Sequence, residues 1–135
     1  MIKAVIFDFY GVLEEGGAAN RRLLDFIKAE LKPRYKLAII SNSSGSWQKR
    51  LLMPPDLALF DEVILSSQEG LEKPHPSIYE LAAQKLGVAP AQCLFIDDTP
   101  GHCAGAQAVG METIVYKDFE QMKAQLEALV TDSNN

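Results

Sequence analysis

Five short apolar runs, none of them alternating polar with apolar residues, constrain this chain more than anything else in it. They are Ala4-Val5-Ile6-Phe7, Leu37-Ala38-Ile39-Ile40, Glu62-Val63-Ile64-Leu65, Cys93-Leu94-Phe95-Ile96 and Thr113-Ile114-Val115. A strand with one wet face alternates; a strand covered on both faces does not. Helical patterns separate the runs. Asn20 caps a helix whose apolar positions are Leu23, Leu24, Ile27 and Leu31, and Pro33 stops it. Ser46 to Met53 reads as a short helix before Pro54-Pro55. Pro76 opens a helix with Ile78, Leu81 and Ala82 on one face, closed by Gly87. Thr99-Pro100 opens an Ala-rich helix that Gly110 closes. Asp118 and Gln121 form a capping pair ahead of Phe119, Met122, Leu126 and Leu129. Glu14 to Ala19 reads as a small Gly-containing loop. The alternation predicts an α/β fold, a parallel sheet with helices on both faces.

A chain of 135 residues supports one core rather than two. The expected division is a core over residues 1–130 and a tail over 131–135. The net charge of −5 argues against a sequence-independent nucleic-acid binder, which needs a basic face. No apolar run has the length of a membrane helix, and Asp8 interrupts the N-terminal stretch that a signal peptide would need. Cys93 and Cys103 make neither a disulfide framework nor a zinc site. The expectation is a cytoplasmic protein with reduced thiols.

In parallel sheets, ligands bind beyond the carboxyl ends of the strands. The residues there are Asp8, Ser41-Asn42, the segment from Ser66 to Lys73, and Asp97-Asp98. Converging carboxylates repel unless a cation sits among them, and a hard ion such as Mg²⁺ suits such oxygens. A carboxylate beside that ion can attack phosphorus and form an acyl phosphate. Ser41 and Lys73 would donate to the phosphoryl oxygens.

The segment Val5-Ile6-Phe7-Asp8-Phe9-Tyr10-Gly11-Val12-Leu13 resembles the first motif of the haloacid dehalogenase-like (HAD) hydrolases. Ile39-Ile40-Ser41-Asn42 resembles their second motif, Glu72-Lys73-Pro74-His75-Pro76-Ser77-Ile78-Tyr79 their third, and Leu94-Phe95-Ile96-Asp97-Asp98 their fourth. The resemblance spans Val5 to Met111, with the motifs in the family's order. It implies a single Rossmann-like core with strand order 3-2-1-4-5. It also implies Asp8 as nucleophile, and Mg²⁺ held by Asp8, the Tyr10 backbone carbonyl and Asp97. Asp98 would lie nearby, in direct or water-mediated contact. Ser41 and Lys73 would bind the phosphoryl group, and Asn42 would touch substrate or support the residues that do.

Two departures stand out. Most phosphatases of this family carry Asp where Tyr10 stands, as acid to the leaving oxygen and then base to water. Tyrosine, with a reference pKa of about 10, is a poor base at neutral pH. Turnover of unactivated esters is therefore expected to be slow. The Asp-x-Tyr-Gly arrangement also occurs in the 2-haloacid dehalogenases, a third reading, although those enzymes look metal-free. The second departure is the missing cap: only 27 residues separate Leu13 from Ser41, and 30 separate Asn42 from Lys73. An open site suits a large phosphorylated substrate, self-association into a homo-oligomer, or a regulatory module that binds metal and phosphate with little turnover.

Other residues are expected to play quieter parts. His75 and His102 are read as capping or solvent-exposed, Cys103 as buried and inert, and Arg21-Arg22 as a solvated helix face. Trp47 could touch substrate or pack.

Overall fold

A computed structural model gives the structure of the chain and describes residues 1–44 and 51–133. The five expected strands form one parallel sheet. Strand β1 is Ala4–Phe7, β4 Lys36–Ser41, β5 Glu62–Leu65, β6 Cys93–Asp97 and β7 Glu112–Val115, in the spatial order β5-β4-β1-β6-β7. Counting these five strands alone, that is 3-2-1-4-5. β1 lies at the centre, and all four of its residues are buried.

Successive residues of each strand point to opposite faces, so an all-apolar strand feeds two cores. Val5, Phe7, Leu37, Ile39, Leu94 and Ile96 face one side. There they meet helix α1 (Arg21–Phe26), which runs on through one wider turn over Ile27–Leu31, and the last helix, Phe119–Ser133. Ala4, Ile6, Ala38, Ile40 and Phe95 face the other side, against the helices Pro76–Leu86 and Pro100–Ala108. No helix of the described residues is long and apolar enough to cross a membrane.

The helix signals act as read. The Asn20 side chain accepts from the Leu23 N–H at 3.2 Å, and Leu23, Leu24, Ile27 and Leu31 are all buried. Gly87 caps its helix in the left-handed region with φ +73. Asp118 accepts from the Gln121 N–H at 2.8 Å, while the Gln121 side chain accepts from Lys117 N–H at 2.9 Å.

Four expectations change. Glu14 to Ala19 is a β-hairpin, β2 (Glu14–Glu15) against β3 (Ala18–Ala19), because Gly16 and Gly17 supply the positive φ that a two-residue turn needs. The expected Ser46–Met53 helix falls largely outside the described residues, as does Trp47. Of the rest, Leu51 to Met53 are not helical, and a short helix α2 occupies Pro54–Leu57. Both prolines stand in its first turn, where a missing N–H costs nothing. The last helix continues through Ser133, beyond the expected core end at 130, since no Gly or Pro stops it.

The Arg21-Arg22 pair is also not simply solvated. The Arg21 guanidinium makes two hydrogen bonds, 2.9 and 2.8 Å, to the buried Asp56 carboxylate of α2. Arg22 pairs with Glu120 and stacks 4.4 Å from the Phe119 ring centroid. Sequence spacing along one helix does not reveal partners on another.

Candidate active site

The parallel register brings Asp8, Ser41 and Asp97 to one end of three adjacent strands. Asp8 follows β1, and Ser41 and Asp97 close β4 and β6. Lys73 arrives from the segment before the helix Pro76–Leu86, here numbered α4, which follows the short α3 (Ser66–Glu69). The residue is buried, 3% exposed, and its ammonium donates to three oxygens: Asp8 Oδ1 at 2.7 Å, Asp97 Oδ2 at 2.8 Å and the Ile40 carbonyl at 3.0 Å. Three N–H bonds meet three acceptors, so the desolvated cation is fully satisfied.

Asn42 holds that lysine in place. Its amide nitrogen donates to the Lys73 carbonyl at 3.0 Å, and its oxygen accepts from the Lys73 N–H at 2.9 Å. Both amide groups are thus engaged, and Asn42 acts on the site through Lys73. Gly105, on helix α5 (Pro100–Ala108), lets that helix approach the same segment. A Cβ there would lie 2.6 Å from the Pro74 carbonyl oxygen. Ser41 is buried, and its hydroxyl shares a hydrogen bond of 2.7 Å with Ser43.

The two strand-end aspartates differ. Asp97 is fully buried, and both carboxylate oxygens are in use. Oδ1 accepts from Thr99 N–H at 2.9 Å, and Oδ2 meets Lys73 and, at 3.1 Å, His102 Nδ1. Asp98 is exposed and lies against Gly11. Asp8, Asp97 and Asp98 each offer one carboxylate oxygen, and these three atoms lie within 4.8 Å of one another. This all-oxygen, anionic donor set fits Mg²⁺. The turn after β1 is held by Val12 and Glu14 N–H bonds to the Phe9 carbonyl and a Gly11 N–H bond to the Glu14 carbonyl; none of these uses the Tyr10 carbonyl. Tyr10 is 42% exposed, and its ring packs edge-on against Phe9.

His102 is the correction of greatest consequence. Expected at a cap or in solvent, it sits in the first turn of α5, whose start faces the end of β6, and so reaches Asp97. The signal was its spacing of five residues after Asp97. His75 does cap, its Nδ1 accepting from Ser77 N–H at 3.1 Å. Cys103 is buried, and burial pushes its thiol up to about 11.

The electrostatics separate the aspartates. Burial lifts the Asp8 pKa to about 7, with the charges of Asp97 and Asp98 adding to the rise and Lys73 opposing it. Burial also opposes charge on Asp97, but Lys73 and the Thr99 N–H outweigh it and hold that pKa below the ordinary carboxyl value. A carboxyl raised on folding stabilises the native state at low pH and loses that contribution as pH rises through its folded pKa. The Asp97 contribution runs the other way and is lost only at pH below its ordinary value of 3.8. Urea unfolding in EDTA should therefore show stability falling from pH 5 to pH 8. Asp8→Asn should remove most of that slope; an unchanged slope would assign it elsewhere.

A family profile for haloacid dehalogenase-like hydrolases matches residues 19–110, more than half of the chain. The chain belongs to the haloacid dehalogenase-like hydrolases. Among HAD-like relatives, phosphoglycolate phosphatase of Escherichia coli is 30% identical over 112 residues, covering 81% of this chain and 44% of that protein. Glyceraldehyde 3-phosphate phosphatase of Pyrococcus abyssi is 36% identical over 86 residues, covering 62% and 36%. The chain thus spans less than half the length of the curated relatives it matches. An uncharacterized Corynebacterium glutamicum protein superposes with a TM-score of 0.83 at 24% identity, over 96% of this chain and 95% of that one. A HAD-family enzyme of Bacteroides thetaiotaomicron, in complex with magnesium and inorganic phosphate, gives 0.74 at 18% identity, over 87% and 95%. These two likenesses show the HAD-like fold. Among the described residues nothing beyond that core is present: the loop after β1 holds one hairpin and no cap.

Proposed function

We propose that this chain is a Mg²⁺-dependent phosphatase that carries the phosphoryl group on Asp8. The observation that carries the reading is the convergence of Asp8, Asp97 and Asp98 beside one buried ammonium. Phosphatases among the relatives support it.

Asp8 Oδ1 is held by Lys73, and Oδ2 accepts no hydrogen bond among the described residues. Oδ2 attacks phosphorus, the ester oxygen leaves with the bond electrons, and an aspartyl phosphate forms. Water then cleaves the acyl phosphate and restores Asp8. Ser41 donates to a phosphoryl oxygen, and Lys73 does so by exchanging one of its three present acceptors for the phosphate. Mg²⁺, held by Asp8, the Tyr10 carbonyl and the aspartates of β6, supplies charge compensation for those oxygens. Asp98, the exposed member of the β6 pair, has fewer hydrogen bonds to displace than Asp97 on binding the ion directly. Tyr10 offers no base for water, so hydrolysis of the aspartyl phosphate is slow. The open mouth takes a phosphorylated group on a large partner, which then covers the site; association with a second copy would cover it too.

The test is Mg²⁺-dependent hydrolysis of an alkyl and an aryl phosphate by the native chain and by Tyr10→Asp. The variant should turn over the alkyl ester on the order of 10²-fold faster. The gain should be smaller on the aryl ester, whose leaving oxygen needs little protonation. No Mg²⁺-dependent turnover by either protein would sink the reading. The exposed Tyr10 favours a second reading, a module that binds metal and phosphate for regulation; tight beryllium fluoride binding without native turnover would select it. Dehalogenation fits less well, because three carboxyls set against a single ammonium give an acidic site that repels an anionic haloacid.

A further inference from the structure

The turn that follows β1 has its own backbone hydrogen bonds, but it also turns on glycines whose conformation a side chain helps to fix. Gly11 and Gly17 both adopt positive φ, +84 and +88, conformations that glycine enters from a wide range of alternatives. One side chain joins them. The Glu14 carboxylate accepts from Gly11 N–H through Oε1 at 3.2 Å and from Gly17 N–H through Oε2 at 2.8 Å. The Gly11 N–H is shared with the Glu14 main-chain carbonyl at 3.0 Å, and Tyr10 forms a bridge with Glu14. On its other side Gly11 meets Asp98 so closely that a Cβ would lie 2.1 Å from Oδ2. One glycine therefore lies between the Glu14 carboxylate and the Asp98 carboxylate, in the turn that presents the Tyr10 carbonyl.

We infer that Glu14 is a positioning residue for the cation site. It makes no claim on the ion itself, since both of its oxygens are spent on N–H groups. It sets Gly11, and through Gly11 both the Tyr10 carbonyl and the wall against which Asp98 rests. Charge-assisted bonds to two backbone N–H groups are strong enough to select one turn geometry. Groups that orient metal ligands are typically worth ~10- to 100-fold in metal affinity. The inference rests on the metal reading above.

The experiment titrates MgCl₂ into the full chain by calorimetry, in phosphate-free buffer, for the native protein, Glu14→Ala and Glu14→Gln. Melting temperatures are read in EDTA alongside. Glu14→Ala should bind Mg²⁺ at least about 10-fold more weakly. Glu14→Gln loses the same charge but keeps one acceptor, so it should fall between Glu14→Ala and native. Native-like affinity in Glu14→Ala overturns the inference while the metal reading stands, even if melting falls. Equal weakening in both variants also overturns it, because charge and not the N–H bonds would then be responsible. Absence of Mg²⁺ binding by the native chain overturns the inference together with the metal reading.

Discussion

Asp8→Asn should lower Mg²⁺-dependent aryl-phosphate turnover by at least about 10⁴-fold, the scale on which removal of a nucleophile is felt. The fold should not suffer with it. Asn keeps the Oδ1 carbonyl that accepts from Lys73 and exchanges the charged Oδ2 for a neutral NH2 of the same size. The pKa of Asp8 is raised to about 7, so the folded environment already favours its neutral form. At pH 8 in EDTA the variant should therefore be at least as stable as the native chain. Residual turnover within about tenfold of native would place the nucleophile elsewhere. A large loss of stability would mean that the Asp8 charge is needed to hold Lys73.

Lys73→Met should be the most destabilising single change at the site. The side chains are alike in length, so packing changes little. What goes is the ammonium between two buried carboxylates, Asp8 and Asp97. Breaking such a group by removing one partner typically costs ~3–5 kcal/mol. For a domain of this size that is about 10–15 °C in melting temperature. The sign of the pH dependence is also fixed. Without Lys73 both carboxyls have folded pKa values above their unfolded ones, so the variant loses stability as pH rises. Urea unfolding in EDTA should show a larger deficit against native at pH 8 than at pH 5. A deficit equal at both pH values would mean that lost packing, not unpaired charge, is responsible. Added Mg²⁺ should recover part of the deficit at pH 8, since a cation among the aspartates compensates the same charges.

Most of the fold was readable because buried parallel strands leave so plain a trace. Ala4 to Phe7 is apolar on both faces, and both faces are used. The convergence of the candidate residues was readable for a related reason: Asp8, Ser41 and Asp97 sit where apolar runs stop, at one end of the parallel sheet. Part of what could not be read depends on partners distant in sequence. Arg21 finds Asp56 across the fold, and nothing in either neighbourhood announces the other. Asn42 could have faced a substrate as easily as the Lys73 backbone; the choice rests on how two loops meet. His102 was hidden by its place in the first turn of a helix, where a polar residue has an ordinary explanation. Glu14 was read as part of a loop because glycines at positions 11, 16 and 17 mark where a chain can turn but not which side chain secures the turn.

The central place of β1 also bears on how the molecule is made. A ribosome delivers Ala4 to Phe7 before either neighbour exists. One edge is covered when Lys36 to Ile39 arrive, but the other waits for Cys93 to Ile96. Through that interval an uncharged apolar edge is open to pairing with other chains, the hazard that exposed strand edges carry. The strand that leads into Asp8 thus precedes both of its neighbours and is enclosed only when the second of them arrives. Nascent chains stalled between β5 and β6 would present that edge to a chaperone, or to one another.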